Sequence, residues 1–310
     1  MELMRLAVHN KILYDKEGNE YDICHGYSHE ETVAHNKYKE EQEQKEARKA
    51  FYHIQQNQYG KWVFLLYNID VALDYGIEPA NLTKLIYLST FMFYNNRLLY
   101  NNRIPITKKN LQNVLGIGKT AYYKFANEVF DKGLLIEDDK GRLSLNKEIF
   151  FRGYMRDVQK YLNENQLDKD IIKLYYNSIR EIYTKSKVTE HGKLSYLFQM
   201  IPYINIEFNI LCHNPFETNF DLIDPMIMED YCEIIGYSVN NVFRLKNSLK
   251  SISIGDTYAF NFVDNGEGLF CCVNPCVFYA GCGDNLDKCE SFGKFKNVHK
   301  NEKNQCKKTS

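Results

Sequence analysis

Residues Ile104–Gly153 read IPITKKNLQNVLGIGKTAYYKFANEVFDKGLLIEDDKGRLSLNKEIFFRG, and this stretch decides the fold. After a short strand, apolar residues spaced three and four apart predict two helices, Thr107–Leu115 and Gly118–Asp131. A tight turn at Gly116 separates them, because glycine readily takes the left-handed conformation that ends a helix. Two helices that follow each other this closely are typical of a helix-turn-helix.

A two-stranded wing is predicted to follow the second helix. Gly133 ends that helix, and Leu134–Glu137 and Arg142–Asn146 can then pair as antiparallel strands. Between them, Asp138–Gly141 (DDKG) has the composition of a tight turn. This order of elements predicts a winged helix-turn-helix, which places its second helix in the major groove of DNA.

The predicted second helix has an apolar face and a polar face. Apolar residues recur at i, i+3, i+4 and i+7 and are expected to face the core: Tyr122, Phe125, Ala126 and Val129. On the polar face, lysines can reach phosphates, and Asn127 and Thr120 can reach base edges. The residues predicted to contact DNA are Lys108, Lys109, Lys119, Thr120, Tyr123, Lys124, Asn127 and, on the wing, Arg142.

The same region is basic in a chain that is otherwise close to neutral. Between Arg103 and Lys124 there are five basic residues and no acidic one, whereas the formal net charge of the whole chain is −1. This local excess favours contact with phosphates. The alternative is a solvated helix face on a purely structural three-helix unit.

Composition limits the classes of protein to be considered. With 310 residues, 44% of them hydrophobic, the chain can form two domains with buried cores. A pI near 6.7 argues against a surface that binds polyanions everywhere, so DNA has to be bound through local patches. There is no signal-peptide pattern, and apolar runs such as Trp62–Tyr67 are too short to span a bilayer. We expect a cytoplasmic protein without membrane contact.

The nine cysteines are expected to be reduced, because their number is odd and nothing indicates secretion. Five of them lie between Cys271 and Cys289, but none of the spacings is the C-x2-C of a structural zinc site. Cys271 and Cys272 are adjacent and would point to opposite faces of a strand. We expect small buried apolar side chains and neither metal nor cofactor. A metal site among these five cysteines is the alternative.

The regions outside the central stretch are predicted as follows. Residues 1–58 form a short β-hairpin and a charged helical connector. Tyr59–Gly76 is predicted as a buried helix, Asn81–Leu98 as the first helix of the winged unit, and Tyr154–Thr184 as helices that join the two halves of the chain. Residues 284–310 carry seven lysines and four acidic residues and little apolar content. This composition predicts a flexible basic tail that adds DNA affinity or only solubility.

The order and spacing of the first unit recur downstream. KLIYL at Lys84–Leu88 corresponds to KLSYL at Lys193–Leu197, and NKEIFFRG at Asn146–Gly153 corresponds to NPCVFYAG at Asn274–Gly281. Between these blocks, four positions match at one constant offset: Pro105, Leu115, Gly116 and Phe125 with Pro225, Ile235, Gly236 and Leu245. Three blocks in register predict two copies of one supersecondary unit.

The two copies differ in charge. Between Asp221 and Phe243 there are five acidic residues and no basic one. Bringing acidic helices to phosphates costs repulsion, so the second unit is predicted to be the weaker DNA binder. Protein contact or dimerisation is the preferred role for it, although Asn240, Asn241, Arg244 and Asn247 could still read bases.

Common catalytic motifs are absent from the sequence. GIGKT at Gly116–Thr120 is not a P-loop, because the required glycine is replaced by Asn113 and the preceding stretch is helical. Neither an H-E-x-x-H pattern nor a G-x-S-x-G elbow occurs. A nicking tyrosine is the remaining enzymatic alternative, but no metal-binding histidine pair accompanies it. We expect a protein that is not an enzyme.

With these motifs in hand, the chain resembles replication-initiator-like and regulatory winged-helix proteins of Firmicute plasmids and phages. The resemblance lies in IPITKKNLQNVLGIGKTAYYKF with LSLNKEIFFRG, and in IIGYSVNNVFRL with CVNPCVFYAG. It covers roughly Asn81–Gly281. It implies DNA binding by the helix Gly118–Asp131 and by the wing near Arg142.

The sequence as a whole predicts a mainly α protein with small β wings (α+β), built from tandem winged helix-turn-helix domains. The predicted boundaries are a hairpin and connector at 1–58, winged domains at 59–153 and 191–283, a helical linker at 154–190 and a tail at 284–310. The predicted function is sequence-specific binding of double-stranded DNA, in replication initiation or transcriptional regulation of a mobile element. The alternative is an assembly module that binds a replication or transcription protein, or a second copy of itself, through the acidic second unit.

Overall fold

A computed structural model describes residues 59–68, 73, 75–101, 103–264 and 269–281, with shorter pieces at 8–9, 12–14, 17–22 and 33–43 and single residues at 46, 56, 289 and 295. The chain divides into two compact units, Met1–Gln58 and Tyr59–Ser310. Over the described residues it is a mixed α and β protein whose sheets are antiparallel.

The first unit contains a small sheet and a helix. Strands β1 (Val8–His9), β2 (Ile12–Tyr14) and β3 (Glu20–Asp22) pair antiparallel in that order. The β2–β3 pair turns where the sequence predicts a hairpin, and β1 adds a third strand. Helix α1 spans residues 33–43, and nearly all of its side chains are exposed, as expected of the charged connector. The rest of that connector lies mostly outside the described residues.

The second unit has two halves joined by helix α5 (Met155–Glu164). The first half consists of β4 (Trp62–Tyr67), α2 (Pro79–Ser89), β5 (Leu99–Tyr100), β6 (Ile104–Pro105), α3 (Lys108–Leu115), α4 (Lys119–Asp131), β7 (Leu135–Glu137), β8 (Leu143–Leu145) and β9 (Phe150–Phe151). The second consists of β10 (Asp170–Tyr175), α6 (Tyr176–Lys185), α7 (His191–Gln199), α8 (Met228–Ile234), α9 (Val242–Lys250), β11 (Ser253–Ile254), β12 (Thr257–Tyr258), β13 (Phe260–Asp264), β14 (Leu269–Val273) and β15 (Phe278–Tyr279).

Two predicted helical regions contain strands instead. Tyr59–Gly76 contains β4, and Tyr154–Thr184 contains β10, so both helical predictions are wrong at these places. All six residues of β4 are buried. A strand covered on both faces is apolar throughout, and a short apolar run of this kind does not differ in pattern from a buried helix. The first helix of the winged unit also ends earlier than predicted, at Ser89.

Strands β4 and β10 form the centre of a four-stranded sheet with the order β15-β10-β4-β9. In one row across this sheet, Phe151 pairs with Phe64, Phe64 with Lys173, and Lys173 with Tyr279. The offset that aligns KLIYL with KLSYL also aligns Phe64 with Lys173, so equivalent residues of the two halves pair with each other. An antiparallel pair of equivalent residues relates the halves by a local two-fold axis. Residues 154–190, predicted as a linker, thus include a central strand.

Hydrogen bonds repeat at equivalent positions of the two halves. The side-chain amide of Asn96 donates to the carbonyls of Leu145 and Phe150. That of Asn209 donates to the carbonyls of Val273 and Phe278, at 3.1 and 2.8 Å. Both asparagines have positive φ, 59° and 53°. Each therefore ties the second strand of a hairpin (β8 or β14) to the strand that returns to the central sheet (β9 or β15), which no sequence motif had indicated.

Equivalent helices of the two halves, α2 and α7, pack against each other. Tyr87 of α2 stacks on Tyr183 of α6 with ring centroids 3.8 Å apart, and Tyr183 contacts His191 of α7. His191 is only 1% exposed. Burial, reinforced by the nearby charge of Lys84, lowers the pKa of its imidazole to about 4. One continuous cluster of buried side chains includes residues from both halves.

The structure describes only two residues of the predicted tail 284–310, and both are buried. Cys289 is 3% and Phe295 4% exposed. The carbonyl of Phe295 accepts a hydrogen bond from the amide of Tyr258 at 2.7 Å. At these two positions the chain differs from the predicted flexible tail, and the other tail residues lie outside the described part.

Candidate nucleic-acid interface

The turn between α3 and α4 is held by several local hydrogen bonds. Asn110 and Thr107 form a capping box at the start of α3. The helix ends at Gly116, whose φ of 64° is the left-handed conformation that favours glycine. The Tyr122 hydroxyl donates to the Lys108 carbonyl at 3.0 Å and so joins α4 to the start of α3. These contacts fix the angle between the two helices.

Helix α4 turns one face to the core and the other to solvent. Phe125, Ala126 and Val129 are buried as the periodicity predicts, and Tyr122 is partly buried. The five predicted contact residues of this helix are all exposed on the opposite side: Lys119, Thr120, Tyr123, Lys124 and Asn127. The Tyr123 ring is 52% exposed, and the Lys119 ammonium lies 5.9 Å from its centroid. The structure thus gathers cations, an amide, a hydroxyl and an aromatic ring on one helix face.

Two of the basic residues that the sequence predicts to contact DNA form ion pairs with acidic residues. Lys108 Nζ lies 2.7 Å from Glu137 Oε2, and 4.5 Å from the ring centroid of Phe130. Arg142 Nη2 lies 2.6 Å from Asp138 Oδ2, and its Nε donates to the same oxygen. These side chains lie near the predicted surface, but each has an acidic partner.

The Arg142–Asp138 pair belongs to the tight turn of the wing. Asp138 Oδ1 accepts the backbone N–H groups of Lys140 and Arg142, at 3.0 and 2.9 Å. Hydrogen bonds from the side chain and backbone of Arg142 lower the pKa of the Asp138 carboxyl to about 2. The carboxylate is therefore ionised at neutral pH and neutralises the arginine. Among the described residues, Lys109, Lys119 and Lys124 form no ion pair.

Helix α9 and the short 3-10 turn before it, Val239–Asn241, carry a matching set of exposed residues. At the constant offset of 120 residues, Thr120, Tyr123, Lys124 and Asn127 correspond to Asn240, Phe243, Arg244 and Asn247. All four of the latter are exposed, and the Phe243 ring is 73% exposed. The aromatic, the cation and the amide recur in the same order. The sequence analysis named Asn240, Arg244 and Asn247 as possible base readers but not Phe243, although the same offset aligns Phe243 with Tyr123.

The acidic residues of the second half do not lie on this face of α9. Glu229 and Asp230 are in the first turn of α8. Lys246 Nζ lies 2.9 Å from Glu229 Oε1 and lowers the pKa of that carboxyl. Asp230 Oδ2 is 3.5 Å from His213 Nε2. Lys246 thus compensates the charge of Glu229, which reduces the repulsion expected between this region and phosphates.

No group of three or more His, Cys, Asp or Glu side chains suited to a metal ion occurs within the described part of the chain. Cys271 and Cys272 are both buried on β14, where burial raises the pKa of each thiol. Cys212 and Cys232 are also buried. Across the same described residues, every helix is too short or too polar to cross a membrane.

Comparison with known proteins gives no further information, since no protein family, curated protein or solved structure matches the chain.

Proposed function

We propose that the two halves of the compact unit Tyr59–Ser310 are winged-helix domains and that the protein binds double-stranded DNA sequence-specifically. Helix α4 is the recognition helix of the first domain, and the wing is β7–β8. The observation that carries this proposal is the exposed face of α4, where Lys119 and Lys124 have no acidic partner among the described residues and flank Tyr123 and Asn127. Lysines fix position on phosphates, and the amide and ring meet base edges.

Replication initiation or transcriptional regulation of a mobile element is the role that the resemblance implies, and it is part of the same proposal. Helix α9 supports it, because its exposed face repeats the chemistry of α4. Contacts from both α4 and α9 would also supply the larger interface that specific DNA binding requires. Catalysis by the protein itself forms no part of this role.

A second candidate is protein binding by the second half. Several apolar side chains around α8 and α9 are exposed: Ile227, Ile234, Val239 and Phe243. Exposed apolar groups of this kind are found at protein interfaces. A replication or transcription protein, or a second copy of the chain, is the partner that this surface would take.

Fluorescence anisotropy of the full chain on labelled duplexes separates the two functions. One duplex has random sequence and the other comes from upstream of the protein's own coding region. DNA binding predicts salt-sensitive affinity that is higher for the upstream duplex and is lost in Lys119→Ala/Lys124→Ala. The matched control is Lys187→Ala/Lys193→Ala, which removes the same charge from exposed positions outside α4 and the wing. Absence of binding to both duplexes at low salt would refute DNA binding and leave the protein-binding function.

A further inference from the structure

The exposed faces of α4 and α9 are more alike than the helices around them. Tyr123-Lys124-x-x-Asn127 and Phe243-Arg244-x-x-Asn247 keep residue type at each position, whereas the preceding helices have opposite charge. Neither asparagine side chain makes a hydrogen bond within the described residues, in contrast to Asn96 and Asn209. A ring that is 73% exposed, as Phe243 is, contributes little to the core. These groups are available for a ligand.

We propose that α4 and α9 each read an A·T base pair, and that the two half-sites are inverted with respect to each other. The inference rests on the proposed DNA binding and specifies its target. Asn127 and Asn247 contact adenine, and Tyr123 and Phe243 contact the methyl group of a neighbouring thymine.

The chemistry of the side chains selects these bases. A carboxamide offers an acceptor and two donors, which match the N6 amino group and N7 of adenine in the major groove. The Phe243 ring has no polar group for a base edge and packs against the thymine methyl. The Tyr123 ring offers the same apolar surface, with its hydroxyl as an additional donor and acceptor. Residues at i and i+4 are neighbours on one helix face, about 6 Å apart along the axis at 1.5 Å per residue. That distance spans between one and two base pairs of 3.4 Å each.

The inverted arrangement follows from the local two-fold axis between Phe64 and Lys173. The strands that pair across this axis are equivalent, and so are the helices α2 and α7 that pack beside it. Helices α4 and α9 correspond at the constant offset of 120 residues, so the proposal extends the same axis to them. A two-fold pair of recognition helices fits half-sites that are inverted, on one face of the duplex, and about one helical turn or a multiple of it apart.

The two half-sites should differ in their phosphate contacts. At equivalent positions, Lys119 is replaced by Val239 and Lys109 by Glu229. The base-reading groups are kept, but of the three lysines of α3 and α4 that form no ion pair within the described part of the chain, only Lys124 has a basic equivalent, Arg244. The half-site bound by α4 therefore carries most of the salt-dependent affinity, and the half-site bound by α9 contributes mainly specificity.

Selection of duplexes from a random library by the full chain tests the proposal. Enriched duplexes are expected to contain two inverted half-sites, each with an A·T pair that is required for binding. Replacing that pair by G·C in one half-site should weaken binding roughly 5- to 150-fold, the usual cost of one wrong base pair. Asn127→Ala should remove this penalty in one half-site only, and Asn247→Ala in the other. Exposed Asn163 on α5 provides the control Asn163→Ala, which should retain both penalties.

Several outcomes would overturn the inference while leaving DNA binding intact. They are enrichment of direct repeats or of a single half-site, a requirement for G·C pairs, or penalties that persist in Asn247→Ala. Circular dichroism and urea unfolding of each variant establish that it is folded. If no duplex is enriched or bound, both the proposed function and this inference fail.

Discussion

Ion pairs divide the basic residues of α3, α4 and the β7–β8 turn into two classes, and this division predicts which of them would bind phosphate in the proposed complex. Lys119 and Lys124 have no partner among the described residues, whereas Lys108 and Arg142 are paired with Glu137 and Asp138. Two double variants remove the same charge from each class. They are Lys119→Ala/Lys124→Ala and Lys108→Gln/Arg142→Gln.

The expected effect is a change in the salt dependence of binding. Each phosphate contact adds about 0.9 to the slope of log affinity against log salt concentration. Loss of the two unpaired lysines should therefore reduce the slope by about 1.8. Between 50 and 200 mM salt this corresponds to a factor of about 12 in the relative loss of affinity. Loss of the paired cations should change the slope by less than about 0.9 in total, since their charge is already compensated.

Anisotropy titrations on one duplex at five salt concentrations measure both slopes. The variant Lys187→Ala/Lys193→Ala carries the same change in net charge and should keep the wild-type slope. Far-ultraviolet circular dichroism and urea midpoints show whether Arg142→Gln disturbs the wing, because its guanidinium bonds the turn carboxylate.

Equal reductions of the slope in both variants would refute the reasoning. That result would mean that the pairs Lys108–Glu137 and Arg142–Asp138 open when DNA binds and release their cations to phosphates. An unchanged slope in Lys119→Ala/Lys124→Ala would instead show that α4 does not face the duplex.

Three further predictions concern stability and are measured by urea unfolding. Gly116→Ala and Gly236→Ala should each cost about 1–2 kcal/mol, because both glycines have left-handed φ and a Cβ meets no neighbouring atom, so only backbone strain acts. The free energy of unfolding should be constant above pH 6.5 and fall by up to about 3 kcal/mol as the pH drops towards 4, since only the unfolded chain protonates His191 in that window; His191→Gln should flatten this decrease. Asn96→Ala and Asn209→Ala should each cost about 1–3 kcal/mol, because buried carbonyls lose their donor.

Helices and turns whose ends are marked by capping residues or glycines were predictable from the sequence. Helices α3 and α4 lie close to the predicted bounds, because Thr107, Gly116 and Gly133 mark their ends. The wing strands also pair where DDKG predicts a turn, with Glu137 opposite Leu143. The internal repeat was visible because its blocks keep their order and spacing.

The central sheet and the ion pairs were not predictable in the same way. Strand β4 is apolar without alternation, and only its partner β10, more than a hundred residues away, makes it a strand. Whether Arg142 is free or paired depends on the geometry of the turn, which brings Asp138 within 2.6 Å of it. A count of basic residues therefore located the cations but did not show which of them have an acidic partner.

The shared core of the two halves has a consequence for recognition. One cluster of buried residues includes Phe125 under α4 and Leu245 under α9, together with Leu65 and Leu174 of the central strands. Moving α4 relative to α9 would disturb this packing and the β4–β10 pairing, so we infer that the fold fixes their separation. A homodimer obtains such a separation by association and loses it on dissociation. Here both helices belong to one chain, so if they bind two inverted half-sites as proposed, we expect the spacing of the half-sites to be the same at any protein concentration.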